Sequence, residues 1–189
     1  MKKALRQKAL AYRTQLSDHE VAAFQPQIHA GLLTLLQTFR PCTVGLYHPV
    51  RGEPDILEIT GNLVLEGFEW ALPVCCDSPT GPLLQFAGFH TGDLLEVGQY
   101  NILVPQIKTW VQPQVLLIPC VAFHRQGARL GYGAGWYDRT LQNLVNKPVA
   151  VGIAYSGTES KHPFAEPHDQ LLDFVVTENS VIHCKENRT

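Results

Sequence analysis

The chain has 189 residues, of which 45% are hydrophobic and 17% charged, a balance typical of one folded domain rather than a disordered segment. A formal net charge of −2 argues against a nucleic-acid-binding surface, because any basic site has to be local. The long apolar run 115–123 is too short to span a membrane, and the N-terminus lacks an apolar signal-peptide core. Five cysteines without metal-site spacing fit a reducing compartment. We therefore expect a cytoplasmic protein that binds neither nucleic acid nor membrane.

The first two segments predict helices. Residues 2–16 carry one apolar stripe at helical spacing: Leu5, Ala9, Tyr12 and Leu16. Ser17 and Glu20 form a capping-box pattern, which predicts a second helix from there to about residue 39. Pro26 is expected to break or kink that helix, since proline lacks the backbone N–H and clashes with the preceding turn.

Strands and helices alternate through the rest of the chain. The predicted strands are 42–47, 68–73, 83–89, 115–118, 148–154 and 174–177. Helices are predicted from Asp55 to about Glu66 and from Trp136 to about Val145, whereas 98–113 is expected to be irregular. A β-α-β order with short connections predicts one α/β domain with a parallel sheet covered by helices.

The most informative stretch, 127–139, reads G-A-R-L-G-Y-G-A-G-W-Y-D-R. The glycines that alternate within it are Gly131, Gly133 and Gly135. Glycine reaches positive φ without steric cost, so backbone N–H groups can approach a ligand, and a following helix adds free donors. Arg129 and Arg139 bring positive charge, and the Asp138 carboxylate suits a magnesium ion. The pattern predicts a cradle for a polyphosphate.

From the residues alone, a blander interpretation stays open. A glycine-rich turn can simply join a strand to a helix, and an acid such as Asp138 in a first helical turn complements the helix dipole. The segment has neither the Walker spacing nor the G-x-G-x-x-G dinucleotide fingerprint.

Seven short segments nevertheless occur in an order and spacing that resemble one family. They are K-K-A-L-R at 2–6, G-L-Y-H-P-V-R-G-E at 45–53, A-L-P-V at 71–74, G-Q-Y-N-I at 98–102, I-P-C-V-A-F at 118–123, R-L-G-Y-G-A-G-W-Y-D-R at 129–139 and E-P-H-D-Q-L-L-D at 166–173. The pattern resembles the 5-formyltetrahydrofolate cyclo-ligase family, also called methenyltetrahydrofolate synthetase. The glycine segment is the most specific match.

The resemblance implies a three-layer α/β/α, Rossmann-like fold, with a mostly parallel central sheet and helices on both faces, in a single domain over 1–189. It also implies the conversion of 5-formyltetrahydrofolate to 5,10-methenyltetrahydrofolate, which depends on ATP and Mg²⁺ and releases ADP and phosphate. The enzyme is expected to be a monomer, and its substrate can carry a polyglutamate tail.

The same resemblance assigns the ATP and metal sites. The implied ATP contacts are Lys2, Lys3, Arg6, Arg129, Gly131, Tyr132, Gly133, Ala134, Gly135, Trp136 and Tyr137. Asp138 and Asp169 are the implied magnesium carboxylates, and Arg129, Tyr137 and Asp138 the implied catalytic residues. Without the resemblance, the N-terminal basic residues suit a solvated helix face, and Asp169 suits a turn or helix cap.

The implied folate site centres on Glu53, whose carboxylate can accept paired N–H donors from the 2-amino pyrimidinone edge of a pterin. The other implied substrate contacts are Tyr47, His48, Tyr100, Tyr132 and Trp136. Glu53 can equally be an exposed loop residue, and Tyr100 a core aromatic.

Several residues depart from the family pattern. His124 stands where aspartate is usual, Trp136 replaces a tyrosine, Ala134 lies where glycine or lysine is common, and Val104 precedes Pro105 in place of glutamate or glutamine. The loss of a carboxylate at His124 is expected to weaken magnesium binding or loop organisation, or to alter the pH response. Two alternatives therefore stay open: a non-catalytic folate- or nucleotide-binding paralogue, and an ATP-dependent enzyme with a different acceptor.

Overall fold

A computed structural model describes residues 1–62, 65–78 and 81–187. The α-helices in this part of the chain are α1 (Lys2–Gln15), α2 (Asp18–Leu36) and α3 (Trp136–Asn143). The strands are β1 (Thr43–Gly45), β2 (Glu69–Cys76), β3 (Leu83–Phe89), β4 (Leu95–Val97), β5 (Leu103–Pro105), β6 (Trp110–Val111), β7 (Val115–Pro119), β8 (Ala122–Phe123), β9 (Arg129–Leu130), β10 (Val149–Ile153), β11 (Phe174–Val176) and β12 (Val181–His183). None of the helices in the described part of the chain is both long and apolar enough to cross a bilayer.

Eight strands form the main sheet, in the order β12-β11-β10-β7-β1-β2-β3-β6. The five from β11 to β2 are mutually parallel, and the strands flanking them are antiparallel. In β7, Val115 and Leu117 pack in a core shared with α2, whereas Leu116 and Ile118 pack on the opposite face with Leu141 of α3. Helices therefore cover both faces, and the predicted α/β class with a mostly parallel central sheet is confirmed.

The two N-terminal helices form where the sequence predicts them. Ala9 of α1 packs against the β8–β9 hairpin, and Tyr12 and Leu16 pack against the main core. The capping box of α2 is complete, because the side chain and backbone of Ser17 both bond to Glu20. Pro26 does not break the helix, since α2 continues through it to Leu36, and the alternative of a kink at Pro26 stays a prediction.

Two predictions about the elements between β1 and β3 are wrong. Among the described residues of 55–66, the expected α-helix is absent; the structure has a 3₁₀ turn at Leu57–Gly61 and 3₁₀ geometry at Leu65. Residues 63 and 64 of that prediction lie outside the described residues. The β-branched residues and Gly61 of the segment 55–62 are weak helix formers. β2 and β3 are antiparallel rather than parallel, because the short connection 77–82 cannot make the crossover that parallel neighbours need.

Short strands were also missed elsewhere. The region 98–113, expected to be irregular, contributes β5 and β6, and β12 adds an antiparallel edge beyond β11. These strands have only two or three residues, too few for a period-two pattern to be recognised in sequence.

The topology places a crevice at the carboxyl ends of β1 and β7. From β1 the chain proceeds to β2 on one side, and from β7 it reaches β10 on the other. Ligands of open α/β sheets bind at such a reversal. Tyr47 and Glu53 follow β1, and Cys120 follows β7, so the segments that the sequence singled out begin here.

Candidate active site

The glycine segment forms an open loop that leads into α3. Gly133 and Gly135 have φ of 107° and 70°, in the left-handed region that only glycine adopts readily. Gly135 caps α3, so the first turn of that helix faces the loop. Arg6 of α1 donates from Nε to the carbonyl of Gly131 at 2.8 Å. The loop therefore offers backbone donors and a helix N-terminus beside a fixed cation, the arrangement that anions require.

Lys2, the first residue of α1, lies against the acidic segment 166–169. Its Nζ is 2.8 Å from Oδ2 of Asp169 and 3.1 Å from Oε2 of Glu166. Burial opposes the charge of Lys2, but its hydrogen bonds to Asp169 and Glu166 outweigh that effect and raise its pKa. Lys3 is exposed on the same turn of α1. Lys2 and Arg6 of α1 therefore lie at the predicted phosphate and metal region.

The two predicted magnesium carboxylates, Asp138 and Asp169, are linked through the backbone of Gln170. Asp138 Oδ1 accepts a hydrogen bond from the backbone N–H of Gln170 at 3.1 Å, and Asp169 is the preceding residue. Arg129 Nη2 also donates to Asp138 Oδ1, at 2.8 Å. Ligand atoms of Glu166, His168 and Asp169 lie within 4.8 Å of one another. The carboxylate oxygens are of the kind that magnesium prefers.

Glu53 is buried beneath the glycine loop, with 7% of its surface exposed. Its Oε2 accepts the backbone N–H of Val50 at 3.0 Å, and its Oε1 accepts the hydroxyl of Tyr132 at 3.0 Å. Burial raises the pKa of Glu53, and the bond from Val50 and the charge of Arg13 oppose that rise. Glu53 is therefore a desolvated acid that faces hydrogen-bond donors.

Arg13 is a site residue that the sequence analysis missed. Its guanidinium donates from Nη1 to Tyr132 Oη and from Nη2 to the carbonyl of Cys120, both at 2.9 Å, and Nη1 lies 4.0 Å from Glu53 Oε1. It is 5% exposed. The available signal was its position seven residues after Arg6, which puts both on one side of α1.

The predicted aromatic residues divide between the rim and the interior. Tyr100, exposed and held at a φ of 59°, meets Trp136 edge to face with ring centres 6.2 Å apart. Tyr47 is buried and its hydroxyl donates to the carbonyl of Pro54 at 2.6 Å, so it supports the Glu53 loop from inside. A direct substrate contact by Tyr47 stays a prediction. His48 is half-buried beside it.

Tyr137 points into the core rather than into the open loop. It packs against the cluster under α3, and burial, followed by the charge of Glu53, raises the pKa of its hydroxyl far above the ordinary value. Ala134 is exposed, and its carbonyl accepts a 2.8 Å hydrogen bond from Arg139.

The residues that depart from the family pattern have local structural roles. His124 closes the turn between β8 and β9, where its Nδ1 accepts the backbone N–H of Gln126 at 3.3 Å. An aspartate oxygen serves the same purpose in many turns. Val104 is buried in β5 and packs beside Gly98.

Residues 1–178 match the sequence profile of the 5-formyltetrahydrofolate cyclo-ligase family. The chain belongs to this family. It is 34% identical over 167 residues to 5-formyltetrahydrofolate cyclo-ligase of Escherichia coli, covering 83% of this chain and 91% of that protein.

Two solved structures of family members are also similar. The 5,10-methenyltetrahydrofolate synthetase of Aquifex aeolicus superposes with a TM-score of 0.77 at 29% identity, covering 100% of this chain and 95% of that one. The synthetase of Mycoplasma pneumoniae gives 0.74 at 26% identity, covering 94% and 98%. The predicted family is confirmed.

Proposed function

We propose that this chain converts 5-formyltetrahydrofolate to 5,10-methenyltetrahydrofolate with consumption of ATP in the presence of Mg²⁺. The observation that carries the proposal is the meeting of three segments at one crevice. Arg6 of α1 holds the glycine loop at Gly131, and Tyr132 of the same loop contacts Glu53 after β1. A polyphosphate cradle therefore adjoins a desolvated acid suited to a pterin.

The reaction joins a phosphoryl transfer to a ring closure. The formyl oxygen attacks the γ-phosphorus of ATP, and the bond from that phosphorus to the leaving oxygen of ADP breaks. N10 then attacks the activated formyl carbon and loses its proton, while the carbon–oxygen bond breaks and phosphate leaves. Positioning and charge neutralisation supply most of the catalysis in such transfers, without a protein nucleophile.

The residues of the phosphate side provide these effects. The loop amides and the side chains of Lys2, Lys3 and Arg6 bind the triphosphate, and Arg129 fixes Asp138. Asp138 and Asp169 would hold Mg²⁺, which supplies charge neutralisation on the phosphate oxygens. Because Lys2 contacts Asp169 in this structure, we propose that it turns toward phosphate when the nucleotide binds.

On the folate side, Glu53 accepts the pterin N–H donors, and the edge-to-face pair of Tyr100 and Trp136 lines the rim. In this structure the hydroxyl of Tyr132 donates a hydrogen bond to Glu53 Oε1. It therefore has to move aside, or share that oxygen, when the pterin arrives. His48 and Tyr47 complete this wall of the proposed pocket. We further propose that residues 1–189 act as one domain and as a monomer in the cytoplasm, on substrates with or without polyglutamate.

The decisive experiment is the rise in methenyltetrahydrofolate absorbance when the purified protein meets 5-formyltetrahydrofolate, ATP and magnesium. We expect a rise that requires all three. Ligand-induced thermal stabilisation without ATP consumption would instead indicate a binding protein. Glu53→Gln is expected to weaken folate binding selectively and to retain ATP binding. Unchanged folate turnover in that variant would remove Glu53 from the pterin site.

A further inference from the structure

We infer that Arg13 is a positioning residue, which sets the Glu53 carboxylate and the Tyr132 hydroxyl against α1 and so fixes the folate side relative to the ATP loop. The inference rests on the proposed function, because it takes Glu53 as the acid that binds the pterin.

The geometry ties together segments that are distant in sequence. Arg13 lies on α1, Tyr132 in the glycine loop and Glu53 after β1, and the Arg13–Tyr132 and Tyr132–Glu53 hydrogen bonds are 2.9 and 3.0 Å long. The second bond of Arg13, to the carbonyl of Cys120, anchors the guanidinium at the carboxyl end of β7. A planar group with donors in fixed directions can hold two partners at once, which a lysine ammonium does less well.

Stability alone does not account for this guanidinium. The side chain of Arg13 is 2% exposed, and its Nε–H is buried without a hydrogen-bond partner among residues 1–62, 65–78 and 81–187. Buried charges are expensive, and an apolar side chain of similar volume is often at least as stabilising. The burial of Arg13 is therefore explained better by the groups that its Nη1 and Nη2 atoms hold in place than by a gain in stability.

The charge of Arg13 also acts on Glu53. Burial raises the pKa of Glu53, and the Val50 N–H, Arg13, Tyr132 and Arg51 oppose that rise. The other titratable groups that interact with Glu53 are Tyr47, Cys120 and Tyr137, all of which are neutral acids near pH 7 because burial raises their pKa. When Arg13 is removed, the pKa of Glu53 should rise. As the pH is lowered, Glu53 should then become protonated, and stop accepting the pterin N–H donors, at a higher pH than in the wild type.

The test is a titration of 5-formyltetrahydrofolate into folded wild-type protein and into Arg13→Met, Arg13→Lys and Glu53→Gln, repeated across pH, with ATP titrated separately. Arg40→Met, which removes an exposed arginine outside the site, is the matched control. For Arg13→Met we expect folate affinity at neutral pH to fall roughly tenfold. The pH at which binding is half lost should rise, and ATP affinity should change much less. Arg13→Lys should keep the wild-type midpoint, because it retains the charge, but lose part of the affinity.

Each outcome separates this inference from the proposed function. If wild-type protein binds folate and Glu53→Gln does not, the pterin site stands. Arg13→Met with wild-type affinity and an unmoved pH midpoint would then overturn the positioning role alone. Should Arg13→Met fail to fold, wild-type folate affinity in Arg13→Lys would overturn it. No folate binding by wild-type protein would instead count against the proposed function. Undiminished binding by Glu53→Gln would remove the pterin role of Glu53, on which the inference rests.

Discussion

The hydroxyl of Tyr132 donates a 3.0 Å hydrogen bond to Oε1 of Glu53, across 79 residues of sequence. One residue belongs to the glycine loop proposed to hold ATP, and the other is the acid proposed to hold folate. This hydrogen bond is therefore a direct contact between the two proposed sites. The burial of Glu53 strengthens that contact, since few water molecules compete for its oxygens.

Tyr132→Phe removes this hydroxyl and leaves the ring. We expect the free energy of unfolding to fall by about 1 kcal/mol, because Glu53 loses a donor and Arg13 loses an acceptor. Urea unfolding measures the change. Tyr100→Phe is the matched control, since Tyr100 is 67% exposed at the rim. Equal stability of the two variants would show that the Tyr132 hydroxyl does not contribute to folding.

Asp138→Asn keeps the shape of the side chain but removes its charge. We expect turnover to fall about a hundredfold or more, because magnesium and triphosphate lose a charged anchor and Arg129 loses its ion pair. The measurement is the steady-state rate across magnesium concentrations, with Asp18→Asn in the exposed first turn of α2 as control. Near-normal rates at limiting magnesium would contradict the assigned role.

His124 should make stability depend on pH. Burial, and to a smaller extent the charges of Arg125 and His162, lower the pKa of His124 below its ordinary 6.5, while Glu159 opposes the shift. The unfolded chain then binds this proton more readily than the folded protein does. The contribution of His124 to stability is accordingly complete above pH 6.5 and decreases as the pH falls through the interval below it.

His124→Asn tests this expectation, because asparagine does not titrate and can still accept the N–H of Gln126. Urea midpoints at about pH 7.5 and about pH 5.5 should differ less in this variant than in the wild type. Identical pH dependence in the two proteins would exclude His124 as the titrating group.

Gly135→Ala should disturb the loop at its junction with α3. A Cβ at a φ of 70° is strained and would lie 3.0 Å from Nη1 of Arg139, which holds the carbonyl of Ala134. We expect a loss of about 1 kcal/mol in stability and a larger relative loss of turnover. Thermal unfolding and rate assays check both quantities. Gly61→Ala, where a Cβ meets open space, should change neither.

Local patterns in the sequence determined a large part of this fold. The Ser17–Glu20 capping box set the start of α2, and the uniformly apolar run beginning at Val115 identified a central strand. Gly133 and Gly135 identified a loop with positive φ before a helix. These features depend on residues within one or two turns of each other, so the sequence carries them directly. The ordered motifs also identified the family.

Only the tertiary structure decided which charges are buried and what they face. Arg6 and Arg13 are seven residues apart and lie on the same side of α1. Arg6 lies at the surface of the glycine loop, whereas Arg13 is buried because Tyr132, Glu53 and the carbonyl of Cys120 surround it. Those partners come from distant segments that meet only when β1 and β7 pair. Burial depends on the assembled chain, so no local pattern encodes it.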